Sequence, residues 1–320
     1  MISIVIPTYN RFNFLKETIE SIKKQSFKDF EIVIIDDNST DDTGKIIDMY
    51  KNLRIKYIKN KKNMGPGYNR KIGISSCDGE YIIFMDDDDY YIDNDFFYKV
   101  ISIFEKNRDV IFVSANAKKY YMTTNEYENS TLNIIGKISS IEYLRGFMVI
   151  YDKPLSTFTT VFKKDILIKS GVLNMEMVND MAIYLRSLIE GSVYFLEDIV
   201  GIYRIHDSNI SKKIDADFLI KNLKEKKFVY NYIKSNNLFY EYDKWWLKQI
   251  EETVGYFVYG SKPHIIELNH VYKWCCSDKS FKYNTELKKK FIEYKDYLVD
   301  LRKCEIKLKI KKILRLEKII

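Results

Sequence analysis

Proline is scarce in this chain, with four among 320 residues, too few for a Pro-rich linker. No two cysteines stand in a C-x-x-C arrangement. The four are Cys77, Cys275, Cys276 and Cys304, and the adjacent Cys275 and Cys276 are poorly placed to bridge each other. A chain with neither a disulfide framework nor a thiolate metal motif suits a reducing compartment, so a cytoplasmic location is expected. No apolar stretch approaches the roughly 20 residues that span a bilayer. The opening residues run straight into Ile2, Ile4, Val5 and Ile6 without a basic leader, so neither signal peptide nor membrane span is expected. The G-x-G-x-x-G fingerprint is missing as well. Gly65-x-Gly67 has Arg70 where the third glycine belongs, and it follows the third apolar run rather than the first. That argues against a Rossmann dehydrogenase.

What the chain does contain fits a soluble globular protein, with 46% apolar and 30% charged residues. Tyrosine (26) and phenylalanine (19) are abundant. Most serve packing, although polar-tipped aromatics also line clefts that contact sugars. The formal net charge is +7, and its position matters more than its size. Residues 302–320 carry eight basic side chains against Glu305 and Glu317, which accounts for nearly all of the excess. The nearly neutral remainder argues against a nucleic-acid-binding face.

Apolar runs at Ile2–Ile6, Ile32–Ile35, Ile55–Ile58, Tyr81–Met85 and Val110–Val113 read as strands. Between them Leu15, Ile19 and Ile22, then Ile46, Ile47 and Tyr50, then Ile72 and Ile74, then Phe96 to Phe104 recur at helical spacing. Ser39 with Asp42 three residues on predicts a capping box. Short continuous strands alternating with helices predict a parallel sheet covered on both faces, with ligands outside the C-terminal strand ends. Residues 116–155 are weakly periodic and read as an insertion. Thr157–Phe162, Val193–Leu196 and Ile199–Ile205 read as strands, and Met181–Ile189 as a helix. From about Asp215 the pattern is helical, Lys-rich and aromatic, which predicts a domain of residues 1–212 followed by a helical region, 213–320.

Each of the first four strands is followed by residues suited to a nucleoside diphosphate. These are Pro7-Thr8-Tyr9-Asn10-Arg11, Asp36-Asp37-Asn38-Ser39, Asn63 to Arg70, and Asp86-Asp87-Asp88-Asp89. Four successive carboxylates repel one another, so a folded turn of them needs a cation or full solvation. Mg²⁺ or Mn²⁺ is commonly held by one or two carboxylates together with substrate phosphates. Asp37 suits the N3–H of a uracil ring, and Arg70 suits phosphate. The competing structural roles are a solvated acidic turn for the quartet, a helix cap for Asp37 and an exposed helix charge for Arg70.

Val5-Ile6-Pro7-Thr8-Tyr9-Asn10, Ile34-Ile35-Asp36-Asp37-Asn38-Ser39-Thr40-Asp41 and Phe84-Met85-Asp86-Asp87-Asp88-Asp89 together resemble family-2 inverting glycosyltransferases. Asn63 to Gly73 is similar to that family's Asn-x-Gly…Arg…Gly turn, with Lys71 where Asn is usual. The resemblance covers about residues 1–210. It implies a GT-A fold, a Rossmann-like, mostly parallel sheet with helices on both faces, here followed by a helical C-terminal extension. It also implies that Pro7, Thr8, Tyr9, Asn10 and Asp37 bind the nucleotide, that Arg70 lies near the diphosphate, and that Asp86, Asp87 and Asp88 form the D-x-D motif with Asp88 on the metal.

Asn179-Asp180-Met181-Ala182-Ile183-Tyr184-Leu185-Arg186 resembles the family's Glu-Asp-x-x-Leu-Trp-Leu-Arg signature, which makes Asp180 the catalytic base. Asn179 and Tyr184 depart from that signature, and a helix N-cap is the competing role for Asp180. Tyr203-Arg204-Ile205-His206 resembles the strand that closes the site, where a His of related enzymes can reach the metal or diphosphate; a purely structural histidine is the competing role for His206. The implied activity is transfer of a hexose or N-acetylhexosamine from a UDP-sugar, with Mn²⁺ or Mg²⁺, to a glycan or lipid-linked oligosaccharide. The basic tail 302–320 suits an anionic membrane surface, and a solvated helical tail is the competing role. The rival readings are a sugar-phosphate nucleotidyltransferase, whose Gly-rich loop after strand one is missing, and a non-catalytic nucleotide-sugar-binding module, against which Asp180 counts.

Overall fold

The computed structural model describes residues 1–206, 215–279 and 281–316, with side chains through residue 304. Two compact units divide the chain, Met1–Asn209 and Ile210–Ile320.

In the first unit every residue of β1 (Ile2–Thr8) is buried. β2 (Phe30–Asp36) pairs with it in parallel, Thr8 beside Asp36, and β3 (Ile55–Lys59) continues the sheet on that side. β4 (Tyr81–Phe84) pairs in parallel along the other edge of β1. Strands covered on both faces need no polar alternation, which is why they read as continuous apolar runs. Each fully buried Ile or Val among them contributes about 1.5–3 kcal/mol.

Helix α1 (Phe12–Lys23) buries Leu15, Ile19 and Ile22 against Ile2, Ile4 and Ile6. Between β2 and β3 lies the short α2 (Ile46–Met49), and between β3 and β4 lies α3 (Pro66–Ser76). Helix α3 covers the opposite face. A Cβ at Gly73 would stand 2.2 Å from Val5 Cγ1, so only glycine permits this close approach. After β5 (Tyr90–Tyr91), α4 (Phe96–Lys106) packs Phe96, Phe97, Val100 and Phe104 on the α1 side.

The remaining elements are β6 (Val110–Tyr121), β7 (Glu126–Ser130), β8 (Gly136–Ser139), α5 (Ser140–Gly146), β9 (Thr160–Lys163), α6 (Lys164–Lys169), α7 (Asp180–Ser187) and β10 (Ser192–Ile205). The sheet runs β3-β2-β1-β4-β9-β6-β10-β5, with β7 on β6 and β8 on β10. Its parallel part is β3-β2-β1-β4 together with the pair β6 and β10. β9 enters antiparallel between β4 and β6. The expected α/β sheet with a helical extension is present.

Three local expectations change. The strands expected at Val193–Leu196 and Ile199–Ile205 are one, β10, which keeps its pairing to β6 through register shifts around Glu197 and Asp198. The weakly periodic 116–155 segment is ordered: β6 extends to Tyr121 and turns back into β7, with Tyr120 stacked on Tyr127 at 4.5 Å. Ser39 caps no helix. Asp41 takes that place for residues 42–45, its side chain accepting from Thr43 N, while Ser39 is held in the preceding turn by Asp36.

In the second unit α8 (Ala216–Ser235), α9 (Tyr242–Tyr256), α10 (Ile265–Cys275) and α11 (Asn284–Leu316) bury Leu219, Leu223, Trp246, Ile250, Val254, Val271, Leu287 and Phe291. Among the described residues no helix is long and apolar enough to cross a membrane. Of the basic tail only Arg302 and Lys303 are basic side chains within the described part, and residues 317–320 lie outside it.

Candidate active site

The parallel register puts the ends of β1, β2 and β4 on one edge, and the loops leaving them are stitched together. Asn10, held at φ 51°, donates its backbone N–H to Ser39 Oγ at 2.9 Å and accepts from Thr40 N at 2.8 Å. Asn tolerates that left-handed geometry better than most residues. Asp37 is buried and caps no helix. Its carboxylate accepts from Asn60 Nδ2 at 2.8 Å, Met64 N at 2.7 Å and Gly65 N at 2.8 Å, tying the loop after β3 to the loop after β2. Oδ1 takes two of these donors and Oδ2 one, so a lone pair on Oδ2 remains for another donor. Pro7 and Thr8 are buried at the end of β1, whereas Tyr9 is 46% exposed.

The acidic turn begins one residue after β4 and is mostly buried: Asp87, Asp88 and Asp89 are enclosed, and the Asp86 side chain is 36% exposed. Thr18 on α1 donates to the backbone carbonyls of Asp87 (2.9 Å) and Asp89 (2.7 Å) and so fixes the turn from below. Two arginines and a histidine contact the carboxylates. Arg11 Nη1 stands 3.0 Å from Asp87 Oδ1 and 2.7 Å from Asp88 Oδ2. His206 Nε2 lies 2.9 Å from the same Asp88 Oδ2, and its ring stacks on Phe14 at 5.3 Å. Arg70, buried rather than exposed, donates to Asp86 Oδ1 at 2.9 Å and to the Val178 carbonyl at 3.1 Å.

The same Arg70 Nη2 lies 3.4 Å from Asp180 Oδ1. Asp180 is the first residue of α7 and is not its cap. Asn179 takes that duty, accepting from Ala182 N at 3.0 Å, and the Asp180 side chain is left 27% exposed. Asp86 and Asp180 thus meet across one guanidinium.

Electrostatics within the turn are strained towards protonation. Burial, then the Asp88 charge, pushes Asp87 up to about 7 against the pull of Arg11. Asp89 is raised well above the usual carboxylate range by burial and by the charges of Asp88 and Asp86. Asp86 is raised by burial and by Asp180 and Asp88, with Arg70 opposing. For Arg70 itself burial works against the charge, and the carboxylates of Asp86 and Asp180 outweigh it. The turn is short of positive charge despite two arginines.

These residues fit a divalent cation. Oxygens of Asp86, Asp88 and Asp89 lie within 4.8 Å of one another, and buried Asp89 Oδ2 has no hydrogen-bond partner among the described residues. An all-oxygen donor set suits a hard ion such as Mg²⁺ or Mn²⁺.

Several residues at the site are given no individual role by the sequence. Arg204 lies between the rings of Tyr90 (4.7 Å) and Phe14 (5.0 Å), pairs with Glu17 at 2.7 Å, and donates its backbone N–H to Asp89. Lys153 is held by the carbonyls of Pro154 and Leu155 over the Tyr184 ring, and burial lowers its amine against the pull of Asp180. Arg11 closes the first strand-end motif, and nothing in the sequence ties it to the acidic turn, because Asp87 and Asp88 lie 76 and 77 positions on.

Residues 3–191 match the sequence profile of glycosyl transferase family 2, more than half of the chain. The chain belongs to that family. Among family-2 relatives, a Campylobacter jejuni GalNAc(5)-diNAcBac-PP-undecaprenol beta-1,3-glucosyltransferase is 30% identical over 213 residues, 64% of each chain. The Escherichia coli protein named UDP-Glc:alpha-D-GlcNAc-diphosphoundecaprenol beta-1,3-glucosyltransferase WfaP is 30% identical over 216 residues, 66% of this chain and 80% of its own. A Rickettsia felis glycosyltransferase is 47% identical over 91 residues. The match spans just under two thirds of the Campylobacter relative and 15% of the Rickettsia one. The crystal structure of Staphylococcus aureus TarS 1–349 with UDP-GlcNAc shares the family-2 GT-A fold, with a TM-score of 0.71 and 16% identity over 95% of this chain and 92% of that one.

Proposed function

We propose that this family-2 protein is a metal-dependent inverting glycosyltransferase that moves a hexose or N-acetylhexosamine from a UDP-sugar to an acceptor hydroxyl. The observation that carries the reading is the shared Arg70, with Asp86 at 2.9 Å and Asp180 at 3.4 Å from one nitrogen. A carboxylate of the acidic turn, suited to a metal ion that would hold the leaving diphosphate, and a carboxylate suited to take the acceptor proton lie on either side of one guanidinium.

In this reading residues 1–212 carry donor binding and catalysis. Asp37 receives the uracil N3–H on its remaining Oδ2 lone pair, while Thr8, Tyr9 and Asn10 border the nucleoside and Pro7 sets the end of β1. Asp86, Asp87 and Asp88 form the D-x-D turn, and Asp88 would hold Mn²⁺ or Mg²⁺, with His206 beside it. When bound, the ion neutralises charge that develops on the departing diphosphate. Arg70 turns from carboxylate to phosphate and supplies a second fixed positive charge there. Asp180, released from that pairing, accepts the proton of the attacking hydroxyl as the new bond forms on the face opposite the diphosphate.

The named activities of the Campylobacter and E. coli relatives support a lipid-linked acceptor. The basic tail 302–320 then docks on the anionic inner face of a membrane, where each near-surface Lys or Arg contributes ~1 kcal/mol. Pelleting with anionic vesicles at low salt, lost at high salt, is the expected result. No pelleting, or pelleting indifferent to salt, contradicts electrostatic docking.

A panel of UDP-sugars with Mn²⁺ tests the reaction itself. One donor should raise the melting temperature above that given by Mn²⁺ alone, and should release UDP faster when acceptor is added. No donor stabilising the protein, or binding without any UDP release in the presence of lipid-linked acceptors, would reject the enzyme and leave a binding module.

A further inference from the structure

Arg11 stands at the N-cap position of α1 but makes no side-chain capping bond; the helix start is served by Asp41, which accepts from Phe12 N at 3.1 Å. Its side chain instead crosses to the acidic turn. There Nη1 shares Asp88 Oδ2 with His206 Nε2, at 2.7 and 2.9 Å. A carboxylate oxygen has two lone pairs, and these two donors take both. A divalent ion therefore cannot use this oxygen until one donor leaves. A fixed guanidinium at the same place also repels it.

Of the two donors, Arg11 is the more readily moved. Its side chain is 23% exposed against 10% for His206, whose ring is clamped on Phe14. Arg11 is also well suited to stand in for an ion. Burial works against its charge, and the Asp87 and Asp88 carboxylates outweigh that cost. Without a positive group there, three consecutive buried aspartates, Asp87 to Asp89, would face one another uncompensated.

We propose that Arg11 is a built-in, displaceable counter-cation of the acidic turn, occupying the place of the divalent ion until that ion arrives. This rests on the metal reading given above. Arg11 keeps the empty turn folded and raises the concentration of free metal needed to fill it, so the turn fills when metal comes together with a nucleoside diphosphate.

The test is direct binding of Mn²⁺, read as loss of the free-ion electron paramagnetic resonance signal, for wild type, Arg11→Gln and Arg11→Lys. Without nucleotide, Arg11→Gln should bind Mn²⁺ about tenfold more tightly than wild type, and Arg11→Lys, which keeps the charge, should resemble wild type. Melting gives an independent readout. Arg11→Gln should melt lower than wild type without metal and gain more from added Mn²⁺. Equal or weaker Mn²⁺ binding by Arg11→Gln, or equal Mn²⁺-induced shifts in melting, would overturn the proposal while leaving the metal site standing. Absence of Mn²⁺ binding by every variant, even with UDP present, would overturn the metal reading and this proposal together.

Discussion

Replacing Asp180 with Asn is expected to lower turnover by ~10²–10⁴-fold, the usual contribution of a positioned general base. The affinity for UDP-sugar should change little. The exchange is nearly isosteric, Asn179 still caps α7, and Arg70 keeps its bonds to Asp86 and the Val178 carbonyl. The diagnostic pattern is a fall in kcat with nearly constant donor affinity, because the proton is transferred only in the transition state. Steady-state kinetics beside calorimetry with UDP reads both quantities. Wild-type turnover in the Asn variant would remove Asp180 from the chemistry. A parallel collapse of donor binding would instead make it part of the donor site, acting through Arg70.

A second large effect is expected at Asp88. Asp88→Asn keeps an acceptor for Arg11 and His206 but removes the charge that both face. UDP binding in the presence of Mn²⁺ should weaken by roughly tenfold or more, the order expected when a close opposite charge is lost. UDP binding in EDTA should be the same for the variant and wild type. Calorimetry with and without Mn²⁺ separates the two conditions. An unaltered gain from Mn²⁺ in Asp88→Asn would take Asp88 out of the metal site. Asp89 makes the contrast informative, because it belongs to the same carboxylate cluster yet is tied to the Arg204 backbone.

Much of the first unit can be read directly from the chain, for a definite reason. Strands β1, β2 and β4 are buried on both faces, so each is apolar along most of its length, interrupted only by the mutually bonded Ser3 and Glu31, and each leads into a polar motif. The motif residues are local and ordered, which makes the converging edge visible before any coordinates. Less legible are features set by distant partners. β10 appears broken because Glu197 and Asp198 interrupt its apolar run. Asn116 binds the Glu197 carbonyl and Lys99 pairs with Asp198, and the strand continues past both. Strand β7 is largely exposed, so hydrophobic alternation does not mark it.

The site follows the same division. The acidic turn and the Asp180 signature are apparent as residue types at a fixed spacing. The guanidinium groups that hold them are not, because Arg11 reaches carboxylates 76 and 77 positions away, and Arg70 reaches Val178 across 108. Asp37 adds a different lesson. Its carboxylate suits a base edge, yet in the folded chain it first organises the loop from Asn60 to Gly65. An Asp37 substitution therefore disturbs the loop as well as any base contact, and activity alone would not separate the two.

The most direct test is a crystal structure with Mn²⁺ and UDP, with the ion located by its anomalous scattering. The account predicts a single peak against Asp88 in the acidic turn, the diphosphate between it and Arg70, and the Asp180 carboxylate facing the open side. A peak away from that turn, or UDP on the opposite rim of the sheet, would contradict it.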